Sequence, residues 1–355
     1  MQDFGSFFQA ATGHTPHGYQ RRLARDGLPA VVRAPTGTGK TGVILAWLWR
    51  RLHGPDRAGT PRRLVYALPQ RSLVEQVAGE AERWLANLGL ADTVARHVVM
   101  GGAGETQRRW RLDMHQPAIV VGTVDSLVSK ALNRGYGIAR ATYPIDFALV
   151  TNGAHWVIDE IQLGRESTTT LRQLAAFARD FGTAEPFGLT CMSATVPEKL
   201  LRTVDNPALA PGDVTGIEPD ERTGELAVRL GASRMVRELA VAPGDYPAIA
   251  GEASARHRAG TLTLVVLNTV GAARDVYKTL AGQPVPRLLL HSRFRGVERA
   301  QLARELTADP GDAGRIVVAT QVVEAGLDLS ASVLITEAAR GRPSSSGRAG
   351  ATARA

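Results

Sequence analysis

The sequence predicts an α/β protein built from two lobes, each with a mostly parallel β-sheet. Three observations support this fold class. Short apolar runs alternate with helical patterns, a glycine-rich loop follows the first of these runs, and the same α/β order resumes after a polar, Pro/Gly-containing stretch near residues 203–222. Strands that alternate with helices favour a parallel sheet covered on both faces. A chain of 355 residues is long enough for two compact domains.

The predicted elements follow one another in this order. In the first lobe, residues 1–222, strands are predicted at 30–33, 64–68, 118–122, 156–158 and 188–192, with helices at 43–51, 72–88 and 167–181. In the second lobe, residues 223–339, strands are predicted at 261–267, 287–291, 316–320 and 333–336, with helices at 271–281 and 297–308. Residues 340–355 contain no apolar residue larger than alanine or proline, so we expect a disordered tail.

Composition excludes several classes of protein. Hydrophobic residues make up 44% of the chain and charged residues 21%, as in globular proteins. The single cysteine, Cys191, excludes an internal disulfide and a cysteine-clustered zinc site. No apolar run reaches the length of a membrane span, and the first residues do not resemble a signal peptide, so we expect a cytoplasmic protein. The net charge of +8 falls to +4 for residues 1–339, a modest indication of a polyanionic partner.

A phosphate-binding loop is predicted at Ala34-Pro35-Thr36-Gly37-Thr38-Gly39-Lys40-Thr41, here called the phosphate loop. It lies between an apolar run and a helical segment, which is the strand–loop–helix context that such a loop requires. The glycines let backbone N–H groups surround phosphate oxygens at the helix N-terminus. Lys40 would reach the β- and γ-phosphates, and the Thr41 hydroxyl would bind the metal. The alternative is an ordinary glycine-rich turn before a helix.

A second motif, Trp156-Val-Ile-Asp-Glu-Ile-Gln162, reads as an apolar strand that ends in two carboxylates. The carboxyl ends of parallel strands are where α/β sheets present groups to ligands. Asp159 would hold Mg²⁺, Glu160 would orient or deprotonate the attacking water, and Gln162 would report on the bound nucleotide. The alternative for such a pair by itself is a solvated turn, but the phosphate loop upstream favours the catalytic interpretation.

Further motif-like segments lie along the chain at 67–76, 122–127, Ser193-Ala194-Thr195, 265–270, 290–294 and 318–330. This ordered set resembles the motifs of superfamily 2 helicases. The resemblance implies two RecA-like (P-loop NTPase) lobes, the second incomplete, with ATP and Mg²⁺ as cofactors. It also implies that Gly326 and Asp328 take part in binding ATP.

More narrowly, the chain resembles the helicase part of the CRISPR-associated helicase-nuclease of type I systems. The similarity lies in the segments 156–163, 290–294 and 318–328, and the opening residues 7–24 are similar to the I-G (formerly I-U) subtype. The resemblance implies that Gln20 reads the edge of adenine. It also implies a monomer that couples ATP hydrolysis to movement on single-stranded DNA and is recruited by the CRISPR surveillance complex.

Two departures from the family pattern shape the expected activity. The chain contains no His-Asp dipeptide, which the family's nuclease uses, so we expect the nuclease domain to be absent. The family's motif VI carries arginines, and a one-base frameshift in its coding sequence would give the residues found here at 340–353. We therefore expect a truncated product with an out-of-frame tail and impaired hydrolysis. Two alternatives remain: another superfamily 2 helicase, or a truncated product that binds ATP with little hydrolysis.

Overall fold

A computed structural model describes residues 3–101, 110–112, 114–135, 138–196, 198–210, 212–231, 235–242, 244–291, 293–320 and 331–337. The chain divides into two compact units, Met1–Arg222 and Thr223–Ala355. The predicted fold class, two α/β lobes with parallel sheets, is confirmed. Within the described ranges, no helix combines the length and the apolar character needed to cross a membrane.

The first unit contains a seven-stranded parallel sheet with helices on both faces. Its described helices are α1 (Phe4–Thr12), α2 (Gly18–Asp26), α3 (Val43–Leu52), α4 (Arg71–Asn87), α5 (Val124–Ala131), α6 (Tyr143–Thr151), α7 (Arg165–Phe181) and α8 (Glu198–Leu201). Its strands are β1 (Val31–Arg33), β2 (Arg63–Leu68), β3 (Ala95–Val99), β4 (Ala118–Thr123), β5 (Ala154–Ile158), β6 (Phe187–Ser193) and β7 (Val214–Gly216). The strand order is β3-β4-β2-β5-β6-β1-β7, and every pairing is parallel.

The second unit contains a four-stranded parallel sheet in the order β11-β8-β10-β9. Its strands are β8 (Leu262–Leu267), β9 (Arg287–Leu290), β10 (Arg315–Thr320) and β11 (Val333–Thr336). The described helices are α9 (Gly224–Gly231), α10 (Tyr246–Arg256), α11 (Val270–Thr279) and α12 (Gly296–Thr307).

The central strands of the first unit are buried on both faces, which explains their nearly continuous apolar sequences. In β2, Tyr66 packs on one face of the sheet with α1, α3 and α4, whereas Val65 and Ala67 pack on the other face with α5 and α7. The side chains alternate because successive residues of a strand point to opposite faces. A sheet covered in this way leaves its loops at the strand ends free to carry functional groups.

Two strands of the first unit, β3 and β7, do not appear among the predicted elements. β3 is half-polar and lies at one edge of the sheet, whereas β7 has three residues and lies at the other edge within the polar stretch. These two edge strands have a neighbour on one side and are less buried, and neither contains the apolar run by which the other strands are found. Most of the segment 318–330 and the whole 340–355 tail lie outside the described residues.

Candidate functional site

The phosphate loop connects the carboxyl end of β1, which lies between β6 and the edge strand β7, to α3. Gly37 and Gly39 have φ angles of 78° and 74°, in the left-handed region that glycine adopts without a steric penalty. A short 3₁₀ turn, Lys40–Gly42, then leads directly into α3. The backbone therefore curls at the helix N-terminus, where N–H groups without intrahelical partners can bind an anion.

Helix α2 holds this loop from one side. The Tyr19 hydroxyl donates to the Thr38 carbonyl oxygen at 2.9 Å, and the Gln20 Nε2 amide donates to the Gly39 carbonyl oxygen at 2.8 Å. The Thr38 hydroxyl donates to the Pro35 carbonyl oxygen at 2.6 Å. These bonds use carbonyl groups of the loop and so fix its curvature.

The two predicted carboxylates follow β5 and meet the loop lysine. The Lys40 ammonium lies 3.2 Å from Asp159 Oδ1 and also forms an ion pair with Glu160. Tyr66 on the neighbouring strand β2 donates its hydroxyl to Asp159 Oδ2 at 2.9 Å. Glu160 has a φ of 53°, which is uncommon for a residue with a side chain. The structure thus brings Lys40, Asp159 and Glu160 into one cluster.

Burial governs the electrostatics of this cluster. Burial alone lowers the pKa of Lys40, but the two carboxylates raise it by more, so the lysine is firmly protonated. The pKa of Asp159 is raised, chiefly by burial. The negative charge of Glu160 raises it further, whereas the Lys40 ammonium and the hydrogen bond from Tyr66 lower it by less. One cation is shared by two carboxylates, so the site carries more negative than positive charge and can accept a further cation.

A chain of hydrogen bonds connects the carboxylates to β6. The Gln162 Nε2 amide donates to Glu160 Oε2 at 2.5 Å, and the Ser193 hydroxyl donates to Gln162 Oε1 at 2.7 Å or to the Thr195 carbonyl oxygen at 2.9 Å. The backbone N–H of Ala34 at the start of the phosphate loop donates to the Ser193 carbonyl oxygen at 3.3 Å. The ends of β1, β5 and β6 therefore form one connected polar network.

The structure places most of the predicted site residues together at this edge of the sheet. The phosphate loop with Lys40, the pair Asp159 and Glu160, and Gln162 all contribute to it, and Gln20 reaches it from α2. Gly326 and Asp328 lie outside the described residues, and their predicted role stays a prediction.

Sequence reasoning missed two tyrosines at the site, Tyr19 and Tyr66. Both are fully buried, and their hydroxyls bond to Thr38 and Asp159. Burial raises the pKa of both phenols, so each stays protonated and can donate. The available signal was a single tyrosine inside the apolar run of β2, because a buried hydroxyl usually requires a polar partner.

The predicted metal ligands, Thr41 and Asp159, supply oxygen atoms, as Mg²⁺ prefers. Among the described residues, no group of three or more His, Cys, Asp or Glu side chains could hold a metal ion. Mg²⁺ is commonly held by one or two carboxylates together with phosphate oxygens and water, so it does not require such a group. The excess negative charge around Asp159 and Glu160 fits a divalent cation bound together with a phosphate.

Two family models match the chain. The model of the DEAD/DEAH box helicases matches residues 19–203, and the model described as CRISPR-associated nuclease/helicase Cas3, C-terminal, matches residues 259–348. A CRISPR-associated nuclease/helicase Cas3 of Methanocaldococcus jannaschii is 32% identical over 94 residues, which are 25% of this chain and 13% of the relative.

Several solved structures share the fold. DUF1998 helicase MrfA bound to DNA and AMPPNP has a TM-score of 0.67 at 17% identity, covering 99% of this chain and 49% of MrfA. Cas3 of T. fusca has a TM-score of 0.63 at 18% identity, covering 94% of this chain and 43% of that protein. DEAD-box helicase Mss116 bound to ssRNA and UDP-BeF has a TM-score of 0.60 at 16% identity, with 97% and 71% covered. The chain spans less than half the length of Cas3 and of MrfA.

Proposed function

Because the chain belongs to the DEAD/DEAH box helicases, we propose that it binds ATP and couples its hydrolysis to movement on single-stranded DNA. The observation that carries this proposal is the convergence of Lys40, Asp159 and Glu160 at the carboxyl edge of the first sheet. A lysine between a glycine-rich loop and two carboxylates is the arrangement that phosphoryl transfer requires.

Each residue of the cluster has a role that its contacts support. Lys40 would bind the β- and γ-phosphates while the loop glycines present backbone N–H groups to them. Glu160 would orient the attacking water, and Gln162 with Ser193 would hold Glu160 in place through the hydrogen bonds described above. Mg²⁺, held by Thr41 and Asp159, would neutralise phosphate charge.

Gln20 has the hydrogen-bonding groups to recognise adenine. Its Oε1 accepts from the His17 backbone N–H at 2.8 Å, and its Nε2 donates to the Gly39 carbonyl oxygen. A primary amide has both N–H donors and acceptor lone pairs. Adenine presents an acceptor at N7 and a donor at N6, which match these two groups, whereas guanine presents two acceptors. We therefore propose that the site prefers ATP to GTP.

The narrower proposal is a helicase core of a type I CRISPR interference effector, with the CRISPR surveillance complex as partner. The match of residues 259–348 to the C-terminal Cas3 model supports it, and so does the identity to the archaeal Cas3. This chain covers a small part of that relative, so the partner and the DNA substrate belong to the proposal.

A second candidate function, ATP binding with little hydrolysis, is favoured by residues 340–353. They lack the pattern of motif VI, whose arginines contact the γ-phosphate in the resembled family. An arginine of this kind contributes about a thousandfold or more to hydrolysis where it has been tested. We expect ATP binding with slow turnover that single-stranded DNA stimulates.

The test compares the wild type with Lys40→Ala and, as a control, Lys278→Ala, an exposed lysine at the end of α11. Equilibrium binding of a fluorescent ATP analogue should weaken by more than about tenfold in Lys40→Ala, since the lysine is the cation nearest both carboxylates. Lys278→Ala should bind as the wild type does. Full ATP affinity in Lys40→Ala would refute the assignment of the phosphate loop.

The nucleic-acid substrate is tested by the rate of ATP hydrolysis of the wild type with single-stranded DNA or single-stranded RNA added. A rate that RNA stimulates as strongly as DNA does would refute the DNA substrate.

A further inference from the structure

Helix α2 makes contacts of two kinds on its two sides. Tyr19 and Gln20 face the phosphate loop, as described above, whereas Arg22 faces the polar segment that follows β7. The helix has nine residues, too few to be stable by itself in water. Its position, and with it the position of the Gln20 amide, therefore depends on the groups that hold it.

Arg22 is bound tightly by the end of the first unit. Its Nη1 lies 2.5 Å from Glu221 Oε1 and its Nη2 lies 3.0 Å from Glu221 Oε2, so the ion pair is bidentate. Its Nη2 also donates to the Gly216 carbonyl oxygen, at the end of β7, at 2.6 Å. The side chains of Arg22 and Glu221 are 22% and 13% exposed, so water screens this pair less than it screens a surface pair.

Glu221 is itself held in position and lies against α2. Its Oε2 accepts from the Glu218 backbone N–H at 2.9 Å. A Cβ atom on Gly18, the first residue of α2, would overlap the Glu221 carboxylate, so the absence of a side chain there is what lets the carboxylate approach. A negative charge next to a helix N-terminus is favourable. Burial raises the pKa of Glu221, but Arg22 and the Glu218 N–H lower it by more, so the carboxylate is ionised.

The other end of α2 is fixed separately. Arg50 on α3 donates through Nη1 to the Ala24 carbonyl oxygen at 2.9 Å and to the Arg25 carbonyl oxygen at 3.0 Å. These are carbonyl groups that the end of a helix leaves without intrahelical partners. The C-terminal turn would therefore stay in place if the Arg22–Glu221 pair were removed, and the change would fall on the first turn, which carries Gln20.

We propose that Arg22 and Glu221 are positioning residues for base recognition: together they hold the first turn of α2 so that Gln20 meets adenine. This inference rests on the proposed binding of ATP. Glu221 lies two residues before the second unit begins at Thr223, so the same pair also fixes the chain where it leaves the first unit.

The experiment measures dissociation constants of the full chain for fluorescent ATP, fluorescent GTP and inorganic tripolyphosphate by competition. The variants are Arg22→Ala, Glu221→Ala, the double variant, and Gly18→Ala, which displaces the carboxylate and leaves every charge in place. Arg25→Ala is the control, because Arg25 forms an exposed ion pair with Asp26 on the same helix.

We expect the ATP affinity to fall about fivefold in each test variant, since a small displacement of a recognition group is costly. The affinities for GTP and tripolyphosphate should change by a smaller factor, because neither ligand has the adenine edge that Gln20 would recognise. The double variant should lose no more than either single variant, because both remove one shared interaction. Arg25→Ala should match the wild type for all three ligands.

Three results would overturn the inference. The first is equal affinity of the wild type for ATP and GTP. The second is a ratio of ATP to GTP affinity that stays unchanged in Arg22→Ala and Glu221→Ala. The third is a loss of affinity by the same factor for all three ligands, which would indicate a merely structural role. A wild type that binds none of the three ligands would instead refute the proposed function. Circular dichroism of each variant shows whether the fold is retained.

Discussion

At the scale of residues, two buried carboxylate clusters of the first unit differ in their balance of charge. In the cluster at the strand ends, Asp159 and Glu160 share one cation among the described residues, Lys40. In the other, the fully buried Asp146 is contacted by two cations, Arg111 at 2.6 Å and Lys130 at 2.7 Å. A cluster short of positive charge can accept a metal ion, whereas one with two cations around one anion is already compensated and serves the fold.

This difference predicts the effect of Asp146→Asn on stability. The substitution leaves Lys130, which is 4% exposed, and Arg111 without a counter-ion. Removing one partner of a buried ion pair typically costs about 3–5 kcal/mol, so we expect a loss of that size in urea unfolding. Asp180→Asn removes the carboxylate of an exposed pair with Arg179 and should have little effect. A loss for Asp146→Asn as small as that for Asp180→Asn would contradict this reading.

At the scale of elements, a buried histidine of β5 packs against the neighbouring strand β6. His155 on β5 bonds through Nε2 to the Thr190 hydroxyl on β6 at 2.8 Å, and Thr190 donates to the Pro29 carbonyl oxygen. A Cβ atom at Gly188, which pairs with His155, would collide with the imidazole Nδ1. The absence of a side chain at Gly188 therefore leaves the space that the imidazole of His155 occupies.

Burial of His155 predicts how stability depends on pH. Burial, with a smaller effect of Arg50, lowers the pKa of His155 from 6.5 to about 3. Only the unfolded chain binds this proton between those values, so the free energy of unfolding falls as the pH drops below 6.5, by up to about 1.4 kcal/mol per pH unit.

We expect His155→Gln to remove this part of the acid sensitivity, measured as urea unfolding between pH 7 and pH 4. The substitution lowers stability at pH 7 as well, so the slope with pH is the quantity to compare. His115→Gln changes an exposed histidine and is the control. An unchanged slope in His155→Gln would show that His155 is not the group that titrates.

At the scale of the whole molecule, each unit has its own hydrophobic core. The cores of the first unit centre on residues such as Trp47, Tyr66 and Trp156, and those of the second on Val265 and Val318. All five tryptophans belong to the first unit. Tryptophan fluorescence therefore reports on the first unit, whereas far-ultraviolet circular dichroism reports on both.

Two separate cores predict unfolding that is not two-state. We expect the urea transitions followed by fluorescence and by circular dichroism to have different midpoints, because probes of independent units need not coincide. Asp146→Asn should move the fluorescence transition to lower urea concentration. The part of the circular dichroism transition that belongs to the second unit should keep its midpoint. Coincident transitions in the wild type would show that the two units unfold as one.

The amino-acid sequence was enough to predict the alternation of buried strands and helices, the phosphate loop and the Asp159-Glu160 pair. Each of these depends on local patterns: an apolar run, glycines at fixed spacing, and carboxylates at a strand end. The edge strands β3 and β7 carry no such run, and the sequence left them unassigned.

Contacts between residues far apart in the chain are visible only once the chain is folded. The bond from Tyr66 to Asp159 and the pair of Arg22 with Glu221 span 93 and 199 positions of the chain. Such contacts are set by the order of strands in the sheet, β2 beside β5 and β1 beside β7, and that order leaves no local pattern in the sequence. The main residues of the candidate site are thus recognisable from local patterns, whereas the packing of the sheet determines which side chains hold them in position.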